Sequence, residues 1–215
     1  MITHRPAVLI AVVAGALASS VAFMSDAGAE DRRADYAPIR VATAVFAGGD
    51  FRAVEADFDS VNGVIETLSG YTGGDIANPG YKQVVAGNTG HYEAVKVTYD
   101  PSRVSYEDLT DHFMRMIDPT DAAGQFCNTG ENYRSAIFVS GQSERNAAVS
   151  TISSAQRVLG KDVETEIRPL TIFWPAEDQY QDYHQRNASK YVSARETCGR
   201  DQRLMEVWGN NTPAL

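Results

Sequence analysis

Arg40-Val41-Ala42-Thr43-Ala44-Val45-Phe46-Ala47-Gly48-Gly49-Asp50-Phe51-Arg52-Ala53-Val54-Glu55 is where the periodicity of the chain changes, and that change decides the fold. Up to Phe46 both side-chain parities are apolar or small, Val41, Thr43 and Val45 against Ala42, Ala44 and Phe46. A strand with two such faces belongs inside a sheet covered on both sides. Beyond Gly48-Gly49, Phe51, Val54, Phe58 and Val61 recur at helical spacing. Asp50 therefore stands between a strand and a helix, at or next to the N-cap, where a short acidic side chain accepts from the first free amides.

Working outward, Val64–Ser69 reads as a second strand and Gly70–Gly74 as a loop. His91–Tyr99 alternates, with Val95, Val97 and Tyr99 on one face, and Asp100-Pro101 ends it. Ser105 with Asp108 forms an N-terminal capping pair for a helix continued by Leu109, Phe113 and Met116. Tyr133–Val139 is expected as a strand, Ser143–Leu159 as a helix, and Val163–Phe173, with Pro169 inside it, as a strand. This alternation predicts an α+β domain with a mixed sheet and helices packed on it. Glu93 shares parity with Val95, Val97 and Tyr99. On that apolar face its carboxyl is desolvated, its pKa rises, and it stays protonated as a proton donor. The plainer alternative is a frayed strand start with Glu93 in water.

The first residues follow another logic. His4 and Arg5 precede an apolar run over Ala7–Ala18, and Ala27-Gly28-Ala29 is a small-x-small site. That layout predicts a signal peptide over residues 1–29, a polar lead-in over 30–38 and a domain over 39–215. The expected location is periplasmic or secreted, with no membrane attachment after cleavage. A net charge of −9 gives no electrostatic reason to bind nucleic acid. The two cysteines, Cys127 and Cys198, fit either a structural disulfide or a redox pair. As a crosslink closing about 70 residues they would stabilise the fold by roughly 4 kcal/mol in the chain-entropy model.

Several segments in order resemble the peptide methionine sulfoxide reductase A family. Ala47–Glu55 resembles its active-site segment Gly-Gly-Cys-Phe-Trp-Cys/Gly-Val-Glu, with Asp50 at the nucleophilic cysteine and Arg52 at the tryptophan. Gly70-Tyr71-Thr72-Gly73-Gly74, Asn78-Pro79-Gly80-Tyr81, Gly87–Val95, Asp118-Pro119-Thr120, Tyr133-Arg134-Ser135-Ala136-Ile137 and Cys198-Gly199-Arg200-Asp201 resemble further family motifs. The resemblance implies a ferredoxin-like core with long active-site loops. It implies thiol-dependent reduction of methionine-S-sulfoxide in peptides or proteins by a monomer. In that reaction a thiolate attacks the sulfoxide sulfur while Glu93, Tyr81 and Tyr133 stabilise and protonate the departing oxygen, and Cys198 resolves the oxidised nucleophile. It places Phe51, Arg52 and Asp118 on the substrate, needs no metal or bound cofactor, and calls for a reductant such as thioredoxin or dithiothreitol. A histidine usual in relatives is absent near the C-terminus, with Tyr180 in its place and Tyr183 retained.

Asp50 keeps a good cap and a negative charge, but a carboxylate cannot become a sulfenic acid or a disulfide. Arg52 is expected to pair with Asp50 and, by favouring ionised carboxylates, to oppose Glu93 as an acid. Three readings follow. One is an inactive homologue that still binds methionine sulfoxide or a related ligand. Another is an active reductase with its nucleophile displaced to Cys127 and resolved by Cys198. The last is a metal- or partner-binding protein using Asp50, Glu93 and His91.

Overall fold

Strand β1 (Ala42–Gly48) lies inside the sheet, as its two apolar faces require. The computed structural model describes residues 40–209, so the leader and the lead-in read from the sequence lie outside the described residues. After β1 come α1 (Phe51–Asp59), β2 (Val64–Thr72), α2 (Tyr81–Val85), β3 (Tyr92–Tyr99) and α3 (Tyr106–Arg115). A small hairpin of β4 (Gly124–Gln125) and β5 (Asn128–Thr129) precedes β6 (Ser135–Val139), α4 (Gln142–Leu159), β7 (Glu166–Pro169) and β8 (Trp174–Pro175). The chain closes with α5 (Tyr183–Arg186), α6 (Ala188–Cys198) and α7 (Arg200–Trp208). Among the described residues no helix is long and apolar enough to cross a membrane.

The main sheet runs β7-β6-β1-β3-β2-β8, antiparallel except for the parallel β6–β7 pair. Its inner four strands, β6-β1-β3-β2, with α1 between β1 and β2 and α3 between β3 and β6, make the ferredoxin-like core. Phe46, Val95, Val97 and Ile137 turn one face toward Val54, Phe58, Leu109 and Phe113 of the helices. Phe46 lies 5.0 Å from the Phe58 ring and 4.9 Å from the Phe113 ring. On the other face Val45, Ala47, Tyr92, Ala94, Ala136 and Phe138 are covered by Leu170 and Phe173. The capping box expected at Ser105 and Asp108 is present at the start of α3.

Four boundaries differ from the sequence reading. β2 continues through Thr72 because Gly70 and Tyr71 pair with β3 on one side and with β8 on the other, so the loop begins at Gly73. Glu131–Tyr133 is a short 3₁₀ turn, and β6 starts only at Ser135. The strand expected over Val163–Phe173 is confined to β7, which ends at Pro169, a residue with no N–H to donate. The chain then crosses the sheet face and adds β8 at the opposite edge. The helices α5–α7 gave no sequence signal: α6 buries none of its residues and so carries no apolar stripe.

Polar contacts fix that C-terminal region. Asp57 of α1 is buried and accepts from Arg195 Nη1 (2.9 Å) and Arg200 Nη2 (3.1 Å). Arg200 also donates to the Met116 carbonyl (2.7 Å), and Trp208 Nε1 donates to the Ile117 carbonyl (2.9 Å).

Candidate active site

The turn from β1 to α1 is made by two glycines that have no room for a side chain. Gly49 has φ +88°, and a Cβ there would lie 2.7 Å from Gln125 Cβ; one on Gly48 would lie 2.9 Å from Ile117 Cγ2. Gln125 is the buried clamp behind this turn. Its Oε1 accepts from the Asp118 amide (2.9 Å) and its Nε2 donates to the Asp118 carbonyl (2.7 Å). Sequence reading passed over Gln125, since an isolated glutamine has no pattern to mark it.

Asp50 is the N-cap of α1, as the strand-to-helix change predicted. Its Oδ1 accepts from the Arg52 backbone amide (2.9 Å) and from Arg52 Nε (2.8 Å), which also reaches Oδ2 at 3.1 Å. The Arg52 guanidinium lies over the Tyr183 ring, 5.1 Å from its centroid. Burial works against the Arg52 charge, but pairing with Asp50 more than offsets it and raises the pKa. Asp50→Ala removes the cap and is expected to lower stability by about 1 kcal/mol, read by chemical denaturation.

Glu93 is buried on the helix-facing side of β3, so the parity reading is right and the frayed alternative is not. Its Oε2 accepts from the Phe51 amide (3.3 Å), while Oε1 has no hydrogen-bond partner among the described residues. Burial, then the charge of Asp50, push the Glu93 pKa up to about 8, against the opposing effects of the Phe51 amide, Arg52 and Tyr133. Arg52 opposes this rise, as expected, but desolvation outweighs one guanidinium already committed to Asp50. The phenols of Tyr81 and Tyr133 are likewise held protonated, first by burial and then by Glu93. A neutral carboxylic acid and two phenols thus share one electrostatic environment, and all three are hydrogen-bond donors.

Phe51 has no exposed surface. It packs on Tyr71 (5.9 Å), Tyr81 (6.1 Å) and Tyr180 (5.8 Å), and Tyr81 and Tyr180 lie 4.4 Å apart. Tyr180 therefore joins the aromatic wall behind the site. Glu177 fastens that wall, accepting from the Tyr81 amide (2.9 Å) and the Tyr71 hydroxyl (3.0 Å).

Asp118 is not brought to this group. Its carboxylate accepts from the Thr120 amide (2.9 Å) and hydroxyl (2.7 Å) and from Arg203 Nε (2.8 Å). Burial alone would raise its pKa, but these partners hold it below the ordinary value. Asp118 therefore fastens a turn to α7. The metal reading is corrected. His91 Nδ1 accepts from the Gly74 amide (3.2 Å), which leaves Nε2 to donate to the Ile76 carbonyl (2.8 Å). With both ring nitrogens committed to backbone, His91 pins the loop after β2. Among the described residues no three His, Cys, Asp or Glu side chains converge in a metal-binding arrangement.

Cys127 and Cys198 are joined in a disulfide, with Cα atoms 5.1 Å apart. A cavity of about 190 Å³ contains Asp50, Arg52, Tyr183 and both cysteines in its lining, together with Arg195 and Arg200. Glu93, Tyr81 and Tyr133 are not among its lining residues. A further buried acid was missed. Glu55 of α1 has no exposed surface and neither oxygen has a hydrogen-bond partner among the described residues. Burial is the main cause pushing its pKa up to about 7.

These two acids predict a pH dependence. Both titrate near 4.5 when unperturbed and higher in the folded chain, so between pH 4.5 and about 8 the native state binds more protons than the unfolded state. Stability is then expected to fall as pH rises through that window. Melting temperatures measured from pH 5 to pH 9 check this, and Glu93→Gln should flatten part of the slope.

The fold is thus a ferredoxin-like core that carries a buried acid, two phenols and a glycine turn at a helix N-terminus. The family model for peptide methionine sulfoxide reductase matches residues 42–212. Peptide methionine sulfoxide reductase MsrA 2 of Caulobacter vibrioides is 46% identical over 167 residues, covering 78% of this chain and 85% of that relative. Methionine sulfoxide reductase A of Corynebacterium diphtheriae aligns with a TM-score of 0.63 at 31% identity, over 69% of this chain and 76% of its own. Mxr1 from Saccharomyces cerevisiae in reduced form aligns with a TM-score of 0.67 at 27% identity, over 71% of this chain and 89% of its own. The chain belongs to the peptide methionine sulfoxide reductase family.

Proposed function

We propose that this chain binds methionine-S-sulfoxide in peptides or proteins and does not reduce it. The observation that carries the reading is Asp50 at the nucleophile's place, clamped by Arg52, beside an otherwise retained donor set. A sulfoxide oxygen is a strong acceptor, and neutral Glu93, Tyr81 and Tyr133 are three donors suited to it. Reduction would need an atom at position 50 that can take the oxygen as a sulfenic acid and later release it as water, which a carboxylate cannot do. Peptides carrying methionine-S-sulfoxide are expected to bind while the corresponding methionine peptides do not, as read by fluorescence anisotropy. Glu93→Leu should weaken binding about tenfold, the effect of one well-placed hydrogen bond. Binding should also fade above pH 8, where Glu93 loses its proton. Equal affinity for the sulfoxide and methionine peptides contradicts the reading.

The same reading includes export to the periplasm or beyond as a monomer, supported by the charged, apolar and small-x-small segments of residues 1–29. A protein isolated from its host should begin at Glu30, as terminal sequencing would show. A second reading rests on one observation, that Cys127 and Cys198 line the cavity of Asp50. In it Cys127 attacks the sulfoxide, Cys198 resolves it and a thioredoxin-like dithiol restores both. Turnover abolished by Cys127→Ser would favour that reading.

A further inference from the structure

In this chain Cys198 is bonded to a cysteine other than the one the family resemblance assigns to it, and Cys127 is exposed at the tip of the β4–β5 hairpin. Its neighbour Phe126 adopts a left-handed backbone (φ +56°), which turns the tip outward from the buried strand residues Gly124 and Gln125. The disulfide opens onto a shallow groove bordered by Ser189, Lys190, Ser193, Ala194 and Thr197 of α6. These are small or flexible side chains that leave a path for an incoming thiol. On the inner side, Cys198 is half-buried and its Sγ accepts from the Cys127 backbone amide at 3.2 Å. Both cysteines line the cavity that contains Arg195 and Arg200. The two cysteines therefore differ: Cys127 is the more exposed, and Cys198 Sγ has a backbone N–H donor to receive negative charge. Such asymmetry directs thiol–disulfide exchange, since the attacked sulfur must be reachable and the departing one must carry charge.

We propose that Cys127–Cys198 is a thiol–disulfide exchange site in its own right, attacked at Cys127 by an external dithiol. The incoming thiol gives up its proton to solvent and its thiolate forms a bond to Cys127 Sγ. The Cys127–Cys198 bond breaks, and Cys198 leaves as a thiolate that then takes up a proton. The second thiol of the partner, once deprotonated, attacks the partner's own sulfur in the mixed disulfide and closes the partner's disulfide. Cys127 is released and protonated. Two electrons and two protons pass from the dithiol to this chain, and nothing at position 50 takes part. The proposal therefore stands apart from sulfoxide binding, and each can fail alone.

The test treats the intact, folded protein with glutathione in native buffer, traps released thiols with iodoacetamide and maps both cysteines by mass spectrometry. The expected product carries glutathione on Cys127 and carbamidomethyl on Cys198, at least tenfold over the reverse pattern. It should form at a rate independent of low denaturant concentration, and the untreated protein should oxidise dithiothreitol stoichiometrically through its intact disulfide. The reverse pattern overturns the proposal. So does exchange that proceeds only at the rate of global unfolding, because the disulfide would then be a purely structural crosslink.

Discussion

The double substitution Asp50→Cys, Arg52→Trp is expected to turn this chain into a reductase of methionine-S-sulfoxide peptides in excess dithiothreitol, with no turnover expected of the natural chain. Each remaining part is in place for that reaction. A thiol at position 50 would occupy the N-cap of α1, where the helix end favours the thiolate. Glu93 is protonated through neutral pH and can supply a proton to the oxygen as it leaves sulfur. Replacing Arg52 removes the guanidinium that would otherwise hold charge against an apolar methyl group. Adding Glu93→Leu to the double variant should lower its rate by about 10²–10⁴-fold, the usual contribution of a positioned acid. A steady-state peptide assay with chromatographic readout measures both steps.

The largest stability effect is expected at Asp57, away from the chemistry. Its carboxylate is buried between Arg195 and Arg200, and Arg200 is itself buried beneath Phe126, 4.4 Å from that ring. Arg195 keeps Asp201 as a second partner, but in Asp57→Ala Arg200 loses the carboxylate that offsets its desolvation. Breaking a buried pair in this way costs about 3–5 kcal/mol. For a domain of this size that corresponds to a melting temperature lower by roughly 10 °C, read by calorimetry. The loss should exceed that of Asp50→Ala several-fold, because the Asp50–Arg52 pair is partly exposed, at 20% and 29%, and so partly screened by water.

The sheet and the turn at Asp50 were legible because they rest on short-range patterns. Two apolar parities marked β1, the switch to helical spacing marked α1, and strand parity alone put Glu93 on the buried face. What escaped was set by long-range contacts. Gln125 is a single buried polar residue with no periodic signature, and Glu55, though at helical spacing with Phe51 and Phe58, is a charged residue that reads as solvated. The extension of β2 to Thr72 depends on β8, about a hundred residues away. The C-terminal helices are held by Arg195 and Arg200 on Asp57 and by Trp208 on a backbone carbonyl, and charged anchors in α6 read as a solvated surface in the sequence. The contacts of Asp118 with Thr120 and Arg203 were not legible either, because a motif names a residue and not its partners. The direction of the Arg52 effect on Glu93 was legible, but not that desolvation outweighs it, because charge is visible in a sequence and depth of burial is not.

The measurement that tests the central claim most directly is a reductase assay on the natural chain, with a methionine-S-sulfoxide peptide, excess dithiothreitol and anisotropy followed in the same samples. Binding without conversion of the sulfoxide is the predicted result. Conversion at a rate proportional to protein concentration would contradict it, and would make Cys127 the first residue to replace.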